Sequence, residues 1–156
     1  MKEYIVIGNG GYSKIVIDLI TKIGGRIVQV CESDNEYKEQ LFPNAEIVIA
    51  IGNNEIRQRI ASKVKHKHAI LIHPTAVIAG DVKLGEGSVI LANTVLQANV
   101  QIGNFVIVQS NATIDHEVIL EDFGMIYPGA YIGGKARITV GKTILPNEVV
   151  ERFTVV

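Results

Sequence analysis

The fold is decided by residues 84–120, LGEGSVILANTVLQANVQIGNFVIVQSNATIDHEVIL, in which an aliphatic side chain recurs at every sixth position. The same spacing continues in both directions and holds at fourteen consecutive positions. These positions are Ile72, Ile78, Leu84, Ile90, Leu96, Ile102, Val108, Ile114, Leu120, Ile126, Ile132, Ile138, Ile144 and Val150. Since aliphatic residues fill only roughly a third of an average chain, chance does not produce such a run.

A period of six residues is typical of a β-helix solenoid, in which each unit forms one flat face and one corner. We expect the aliphatic side chains to point inward, and the mostly small residues four positions later, such as Ala76 and Ala112, to let the chain turn. Val140–Gly141 indicates a two-residue phase slip, so the last aliphatic matches are expected to be partly fortuitous. Because the ends of a short solenoid are open, we expect the N-terminal residues to cap one of them.

Residues 1–70 have a different pattern, in which short β-branched runs alternate with helical periodicity. The predicted strands cover residues 3–8, 26–31 and 46–52, and the predicted helices carry Val16, Leu19, Ile20 and Ile23 in one case and residues 54–66 in the other. This alternation predicts a parallel sheet with helices packed on it. The chain is therefore predicted to hold an α/β Rossmann-like domain, residues 1–70, followed by a β-helix domain, residues 71–156.

Composition and charge limit the classes of function. Apolar residues make up 47% of the chain and charged residues 20%, and the net charge is -1. No basic block exceeds the short run from Lys63 to His68, so nucleic-acid binding is not expected. Cys31 is the only cysteine, which suits a reducing compartment. No apolar run approaches the roughly 20 residues that cross a bilayer, so we expect a cytoplasmic protein without a membrane partner.

The segment GNGGYSK, Gly8 to Lys14, lies between the first predicted strand and the first predicted helix. Glycines at this place let the backbone approach a phosphate, and the amides at a helix start favour an anion. Ser13 occupies the third glycine position of the dinucleotide fingerprint, and only Glu32 could act as the acid after the second strand. A nucleotide or nucleotide-sugar site is one interpretation, and a tight turn without a ligand is the other.

A second segment, AIGNNEIRQRI from Ala50 to Ile60, runs from a predicted strand into a helix. Asn53 and Asn54 suit the cap of that helix. The carboxyl end of a parallel strand is also where α/β sheets bind ligands. Capping is the favoured interpretation, and ligand binding stays open.

Asp115, His116 and Glu117 lie between the inward positions Ile114 and Val118, so His116 is expected to point outward. A neutral imidazole suits a general base, and either flanking acid could fix its tautomer. A polar corner without a role is the alternative. The solenoid holds only one other histidine, His73, so no metal site is expected. Cys31 ends a predicted buried strand without a cationic neighbour and is not expected to act as a nucleophile.

Together these features resemble the bacterial sugar acetyltransferases that pair a small Rossmann-like domain with a left-handed parallel β-helix of hexapeptide repeats. That group includes UDP-4-amino-sugar N-acetyltransferases and sialic-acid O-acetyltransferases of surface-glycan pathways. The resemblance rests on the order and spacing of four segments. They are IVIGNGGYSK (5–14), IAIGNNEIR (49–57), LIHPTAVIAGDVKLGEGSVI (71–90) and NATIDHEVILEDFGMIYPGAYIGG (111–134).

The resemblance implies a homotrimer that transfers acetyl from acetyl-CoA to a nucleotide-linked amino sugar, with ligand clefts between subunits. His116 looks like the general base of a direct transfer, and Glu117 like its supporting acid. A backbone amide near Gly134 would face the thioester oxygen. The nucleotide sugar would lie near Gly8, Gly10, Gly11, Ser13, Gly52, Asn53 and Asn54.

This sequence departs from the family pattern at three places. Met125 occupies a cofactor-site position where the family often has a second histidine, and its thioether cannot donate a hydrogen bond to acetyl-CoA. Tyr12 stands where a histidine is common in the nucleotide loop. The segment after Lys142 looks shortened, and the coils that it lacks normally hold part of CoA. O-acetylation of sialic acid and a non-catalytic nucleotide-sugar-binding trimer are therefore kept as alternatives.

Overall fold

The structure, a computed structural model, describes residues 1–156 and begins with a small α/β domain. Its elements are β1 (Glu3–Ile7), α1 (Gly11–Lys22), β2 (Arg26–Cys31), β3 (Glu46–Ile49) and α2 (Asn54–Ala61). The three strands form a parallel sheet in the order β2-β1-β3. The carboxyl end of the central strand β1 leads directly into the glycine-rich loop, so the sheet places this loop at one of its edges.

The predicted elements of this domain form, but three of them are shorter than expected. β1 ends at Ile7 because Gly8 has a φ of 127°, a region of backbone conformation that glycine alone adopts readily. β3 ends at Ile49, and α2 ends at Ala61 rather than near residue 66. Within α2, Ile60 and Arg57 are buried, whereas Ile56 is exposed.

Residues 71–150 form fourteen two-residue strands at intervals of six residues. They are β4 (Leu71–Ile72), β5 (Val77–Ile78), β6 (Lys83–Leu84), β7 (Val89–Ile90), β8 (Val95–Leu96), β9 (Gln101–Ile102), β10 (Ile107–Val108), β11 (Thr113–Ile114), β12 (Ile119–Leu120), β13 (Met125–Ile126), β14 (Tyr131–Ile132), β15 (Arg137–Ile138), β16 (Thr143–Ile144) and β17 (Val149–Val150). Every third strand pairs in parallel, which gives a three-sided β-helix. Face 1 contains β4, β7, β10, β13 and β16, face 2 contains β5, β8, β11, β14 and β17, and face 3 contains β6, β9, β12 and β15.

The second residue of each strand is the aliphatic residue of the sequence repeat, and from Ile90 onward all of these side chains are buried. The smaller residues four positions later, Ala112 and Val118 among them, belong to the same core cluster. Ser88 and Thr94 are also fully buried, and their hydroxyls donate to the carbonyls of Gly103 and Gln109. The interior is therefore filled by two rows of side chains per face, as the period of six predicts.

The corners repeat with the same period, because one residue in each has a positive φ. These residues are Gly87, Asn93, Asn99, Phe105, Asn111, Glu117, Phe123, Gly129, Lys135, Gly141, Asn147 and Phe153. Glycine and asparagine tolerate this left-handed conformation, whereas other residues adopt it at a cost of roughly 1–2 kcal/mol. A glutamate or lysine at such a corner is therefore not explained by backbone preference.

The α/β domain covers face 1 and does not cap an end, so the expectation of an end cap was wrong. Leu71 and Val89 point outward from face 1 and are buried in one apolar cluster with Val6, Val16 and Leu19 of the α/β domain. Ile72 at the first coil, which points inward, is left 38% exposed. The domain packs on the side because the outward residues of face 1 are apolar and offer it a surface to bury.

The expected phase slip near Val140 does not occur. β16 pairs with β13 in register, with Ile144 beside Ile126, and β17 pairs with β14, with Val150 beside Ile132. Gly141 has a φ of 69° and forms an ordinary corner of the repeat. Both Ile144 and Val150 are buried, so the last aliphatic matches are true members of the core.

Candidate active site

His116 lies at the corner between face 2 and face 3, between β11 and β12. Its side chain is 43% exposed, and its Nδ1 atom is 2.9 Å from Oε2 of Glu117. Since the ionised carboxylate can only accept, Nδ1 carries the proton and the neutral ring leaves Nε2 as an acceptor. His116 therefore points outward, as the sequence predicts, with its basic nitrogen free.

The two acids that flank His116 have different partners. Glu117 holds the ring, whereas Oδ1 of Asp115 accepts from the backbone N–H of His116 at 2.7 Å. The second oxygen of Asp115 accepts from the hydroxyl of Tyr131 at 2.9 Å. The hydrogen bond from His116 lowers the pKa of Glu117, and the backbone hydrogen bond from His116 lowers the pKa of Asp115. Both carboxyls are thus ionised at neutral pH.

Glu117 occupies a left-handed corner, with a φ of 60°. Lys135 takes the same corner position one coil later, 18 residues further along the chain, and its Nζ atom is 3.6 Å from Oε2 of Glu117. These are the only two charged residues among the positive-φ corners. Both are placed against backbone preference; Glu117 contacts the imidazole, and Lys135 contacts Glu117.

Gly134 faces the free edge of the imidazole. A Cβ atom at this position would lie 2.7 Å from Nε2 of His116, closer than real Cβ contacts allow. Gly134 is buried, and its N–H donates no hydrogen bond within the chain. Buried backbone N–H groups without an acceptor are rare in folded proteins, so this amide is available to an oxygen of a bound ligand.

The glycine-rich loop joins β1 to α1. A Cβ at Gly8 would lie 2.5 Å from the carbonyl oxygen of Ala50, whereas Gly10 and Gly11 have open space around them. Gly10 caps α1 without a side chain, and Ser13 is buried, with its hydroxyl donating to the carbonyl of Gly10 at 2.7 Å. The first amides of α1 are therefore not covered by a capping side chain, which suits an anion.

Glu32, the acid that sequence reasoning considered for this loop, follows β2 directly. Its Oε1 accepts from Nδ2 of Asn9 at 3.1 Å, so its carboxylate lies beside the glycine-rich loop. Its own backbone N–H donates to Glu36 at 3.0 Å. The arrangement fixes Glu32 at the end of the second strand of the sheet.

The second loop, Gly52 to Asn54, combines capping with contact to the β-helix. Asn53 caps α2, because its Oδ1 accepts from the backbone N–H of Ile56 at 2.9 Å, which confirms the capping interpretation. Asn54 donates from Nδ2 to the carbonyl of Gly141 at 2.8 Å and to the hydroxyl of Thr143 at 3.1 Å. It therefore joins the α/β domain to the last coils of face 1.

A cavity of about 580 Å³ opens between this loop and face 1. Its lining residues are Gly52, Asn53, Asn54, Glu55, Met125, Tyr127, Gly141 and Thr143. Met125 is buried, and its sulfur accepts from Nε2 of Gln109 at 3.5 Å. The cavity is mostly polar in its residues and lies between the two domains, a common place for a ligand site.

Comparison with known proteins agrees with this architecture. Residues 3–64 match the family described as PglD N-terminal domain, and residues 81–116 match the bacterial transferase hexapeptide family of six repeats. The UDP-N-acetylbacillosamine N-acetyltransferase of Bacillus subtilis (strain 168) is 29% identical over 59% of this chain and 52% of its own length. The chain thus spans about half the length of that relative.

Two solved structures resemble the whole chain. The acetyltransferase domain of PglB from Neisseria gonorrhoeae FA1090, in complex with acetyl coenzyme A, has a TM-score of 0.75 and 29% identity, and the match covers 99% of this chain and 87% of that chain. A mutant of GDP-perosamine N-acetyltransferase from Caulobacter crescentus has a TM-score of 0.73 and 24% identity, with coverage of 99% and 85%, which shows the shared fold. The chain resembles the bacterial hexapeptide-repeat sugar acetyltransferases in both of its parts. The predicted fold, an α/β domain followed by a left-handed parallel β-helix, is confirmed.

The predicted site residues of this chain fall into two groups. His116, Glu117 and Gly134 meet at the corner between faces 2 and 3. The second group lies beside face 1 and contains Gly8, Gly10, Gly11, Ser13, Gly52, Asn53 and Asn54, together with Met125. Met125 contacts this second group, since a Cβ at Gly52 would lie 3.6 Å from its methyl carbon, and it does not lie with Gly134.

Three residues at or beside the two groups of site residues were not predicted from the sequence. Arg57 is buried behind the Gly52 loop, Tyr127 lines the cavity, and Lys135 contacts Glu117. Lys135 could have been found from the period of eighteen that places it one coil after Glu117. Arg57 gave no such signal, since an arginine in a helix is usually exposed.

The remaining expectations concern membranes and metals. None of the helices has both the length and the apolar character that a bilayer-spanning segment needs. Histidine, cysteine and carboxylate side chains nowhere gather into a group of three that could hold a metal ion.

Proposed function

We propose that this chain is an acetyl-CoA-dependent acetyltransferase that acetylates the amino group of a UDP-linked 4-amino sugar in surface-glycan synthesis. The proposal is supported by the names of its relatives, a UDP-N-acetylbacillosamine N-acetyltransferase and an acetyltransferase domain solved with acetyl coenzyme A. The observation that carries it is the imidazole of His116, which is fixed by Glu117 and lies beside Gly134, a residue whose backbone N–H has no partner in the chain.

In the proposed reaction, the sugar amine attacks the thioester carbonyl while Nε2 of His116 removes a proton from the nitrogen. The N–C bond forms, the carbonyl oxygen becomes an oxyanion, and the Gly134 amide donates to it. The C–S bond then breaks, and the imidazolium returns its proton to the leaving thiolate, which gives free CoA. No acyl-enzyme forms. Glu117 stabilises the imidazolium and holds its tautomer.

The nucleotide sugar is assigned to the second group of residues. Its diphosphate would contact the uncapped start of α1, at Gly10, Gly11 and Ser13, because backbone amides and the helix dipole favour an anion there. Gly8 lets this loop approach the Gly52 loop, since any side chain at Gly8 would meet Ala50. The uridine diphosphate would also lie close to Gly52, Asn53 and Asn54, which line the cavity beside face 1.

Because the two groups lie on different sides of one β-helix, the reaction needs a groove between subunits. We propose a cyclic homotrimer in which His116 of one subunit meets the nucleotide loops of a neighbour. Faces 2 and 3 lack the cover that face 1 has. Val77 and Val149, at the two ends of face 2, are apolar and are 63% and 59% exposed, which suits burial against a neighbouring subunit.

Acetyl-CoA is assigned to the same groove, with its thioester at Gly134. The predicted role of Met125 in the cofactor site is retained through this arrangement, since a neighbour's face 1 would line the other side of the groove. The match covers 87% of the PglB domain that was solved with acetyl coenzyme A. Most of that domain therefore has a structural counterpart in this chain. The cytoplasm is the compartment that this cosubstrate suits.

The experiment is a steady-state assay of purified protein with acetyl-CoA and a UDP-4-amino sugar, in which free thiol and the mass of the product are measured. Wild type releases thiol and adds one acetyl group to the sugar, and His116→Ala loses roughly 10²–10⁴-fold in kcat. Equal rates for wild type and His116→Ala would refute the role of His116. Turnover with sialic acid alone would favour O-acetylation, and UDP-sugar binding without any thiol release would favour a non-catalytic binding trimer.

A further inference from the structure

Arg57 is a buried cation that contacts both domains. The residue is 1% exposed and lies in the first turn of α2, and its guanidinium donates to the carbonyls of Ile51 and Gly52. It donates to the carbonyls of Ile51 (3.0 Å), Gly52 (3.0 Å), Phe105 (2.9 Å), Phe123 (2.9 Å) and Gly124 (3.4 Å), and to Oδ1 of Asn54 (2.9 Å). Two of these carbonyls belong to the α/β domain and three to the β-helix.

No carboxylate pairs with Arg57, since none of the ion pairs in the structure involves it. Burial lowers the pKa of Arg57 to about 10, so the side chain stays charged at neutral pH. A buried charge is costly, and apolar residues of the same volume would often give equal or greater stability. Its hydrogen bonds instead fix the position of the Gly52 loop relative to the β-helix corners at Phe105 and Phe123.

Asn54 is the residue through which Arg57 reaches the cavity. Because Oδ1 of Asn54 accepts from Arg57, its Nδ2 must face the β-helix, where it donates to Gly141 and Thr143. Arg57 thereby sets the orientation of this amide, and it also binds the carbonyl of Gly52 in the same wall. On the opposite wall it reaches Gly124, which precedes Met125.

We propose that Arg57 is a positioning residue for the nucleotide-sugar site, acting through Asn54 and the Gly52 carbonyl without contact to the ligand. The inference rests on the proposed function, because it takes the cavity beside Gly52 as part of that site. The five N–H groups of the planar guanidinium reach six acceptors in fixed directions, with one N–H shared between two of them, and a lysine in its place would have only three donors. Lysine therefore keeps the charge and loses the geometry.

The test is calorimetric titration of the full-length protein with UDP and, separately, with acetyl-CoA. Arg57→Lys is expected to weaken the Kd of UDP about tenfold, which corresponds to about 1.4 kcal/mol, and to leave the Kd of acetyl-CoA within about twofold. Arg59→Lys is the matched control, because Arg59 lies on the same helix, is exposed and pairs only with Asp34. It is expected to change neither constant.

A role in folding alone predicts a different result, since a partly unfolded sample has fewer binding sites and an unchanged Kd. Asn54→Ala is the second variant, and it is expected to weaken UDP binding about tenfold on its own. The double variant should then also lose about tenfold and not a hundredfold, because both residues act through one amide. Additive losses in the double variant would overturn the proposal, and so would an unchanged Kd in Asn54→Ala, which can be measured even if Arg57→Lys does not fold.

Failure of this inference is distinguishable from failure of the proposed function. If the UDP constants change as stated while no acetyl transfer is measurable, the function is wrong and the role of Arg57 stands. If wild type transfers acetyl but the Kd of UDP is the same in Arg57→Lys, the role of Arg57 is wrong and the function stands. Wild-type protein that does not bind UDP would overturn the assignment of the site and with it the role of Arg57.

Discussion

Gly134→Ala tests the arrangement of imidazole and amide with the smallest possible change. The added carbon would lie 2.7 Å from Nε2, 3.0 Å from Cε1 and 3.2 Å from Cδ2 of His116, whereas ordinary contact begins at 3.4 Å. The ring must therefore retreat by about 0.7 Å, or the amide must move. Gly134 is not among the glycines with a positive φ, so alanine is compatible with its backbone.

The expected loss follows from this displacement. Misplacing a catalytic group by about 1 Å can cost about 10²-fold in rate, so kcat should fall between about 10-fold and 100-fold, or about 1.4–2.7 kcal/mol of activation free energy. The midpoint of thermal unfolding should change little, because the imidazole is 43% exposed and can swing toward solvent. The measurement is thiol release at saturating acetyl-CoA and sugar, together with a thermal melt.

Gly80→Ala is the control for this prediction. Gly80 belongs to an early coil, has no positive φ, and would have nothing within 4 Å of an added Cβ, so kcat should stay within about twofold of wild type. Retention of more than half of the wild-type kcat by Gly134→Ala would refute the assignment of Gly134 to the reacting centre. An equal loss in both variants would show that the effect is not local.

Three further predictions concern stability and assembly. Tyr12→Phe should raise the free energy of unfolding by about 1 kcal/mol and the melting midpoint by about 2–4 °C, because the buried Tyr12 hydroxyl has no hydrogen-bond partner; a lower midpoint would contradict this. Co-expressed His116→Ala and Gly11→Asp chains, each inactive alone, should recover about a quarter of wild-type activity if each groove takes one half from each of two subunits; no recovery would place the site within one chain. Lys63 lowers the pKa of Asp34 through a hydrogen bond of 2.8 Å. A carboxyl whose pKa is lower in the folded state stabilises the fold fully at a pH above its unfolded-state pKa, and this stabilisation is lost as the pH falls through its folded-state pKa. Urea unfolding should therefore show a constant gap between wild type and Asp34→Asn from pH 7 to about pH 4, which shrinks below that; a gap that grows in acid would contradict it.

Most of the fold was predictable because the repeat of six residues ties each inward side chain to one geometry. The aliphatic residues from Ile72 to Val150 specify both the faces and the pairing register. The error at Val140–Gly141 arose because Lys142 and Glu148 occupy repeat positions where the earlier coils have mostly small residues, which resembles a broken repeat. In the structure, Gly141 has the left-handed backbone conformation of an ordinary corner, so the residues that depart from the repeat do not disturb the coil.

The placement of the α/β domain was not predictable from the repeat. Leu71 and Val89 are apolar on the outward side of face 1, but Val77 and Val149 are equally apolar on face 2. The sequence offers no local signal that tells a face covered by the same chain from a face left open. The choice depends on contacts between distant residues, such as those of Arg57 with Phe105 and Phe123.

Some contacts of the candidate site were predictable from the sequence and others were not. His116 and Glu117 are neighbours in sequence, so their contact follows from the chain itself, and Gly134 follows from one coil of eighteen residues. Met125, in contrast, was grouped with Gly134 by resemblance, whereas the structure places it in the cavity beside Gly52. The repeat places Met125 on the outward side of face 1, but only the three-dimensional structure shows that the Gly52 loop packs beside it.

The most direct test of the account is a crystal structure of the protein with CoA and a UDP-amino sugar. The account predicts a groove between two subunits in which the sulfur of CoA and the amine of the sugar both lie within reach of His116 Nε2, with the Gly134 N–H toward the thioester position. Ligands bound far from His116, or an isolated chain in which this imidazole faces no neighbouring subunit, would contradict it.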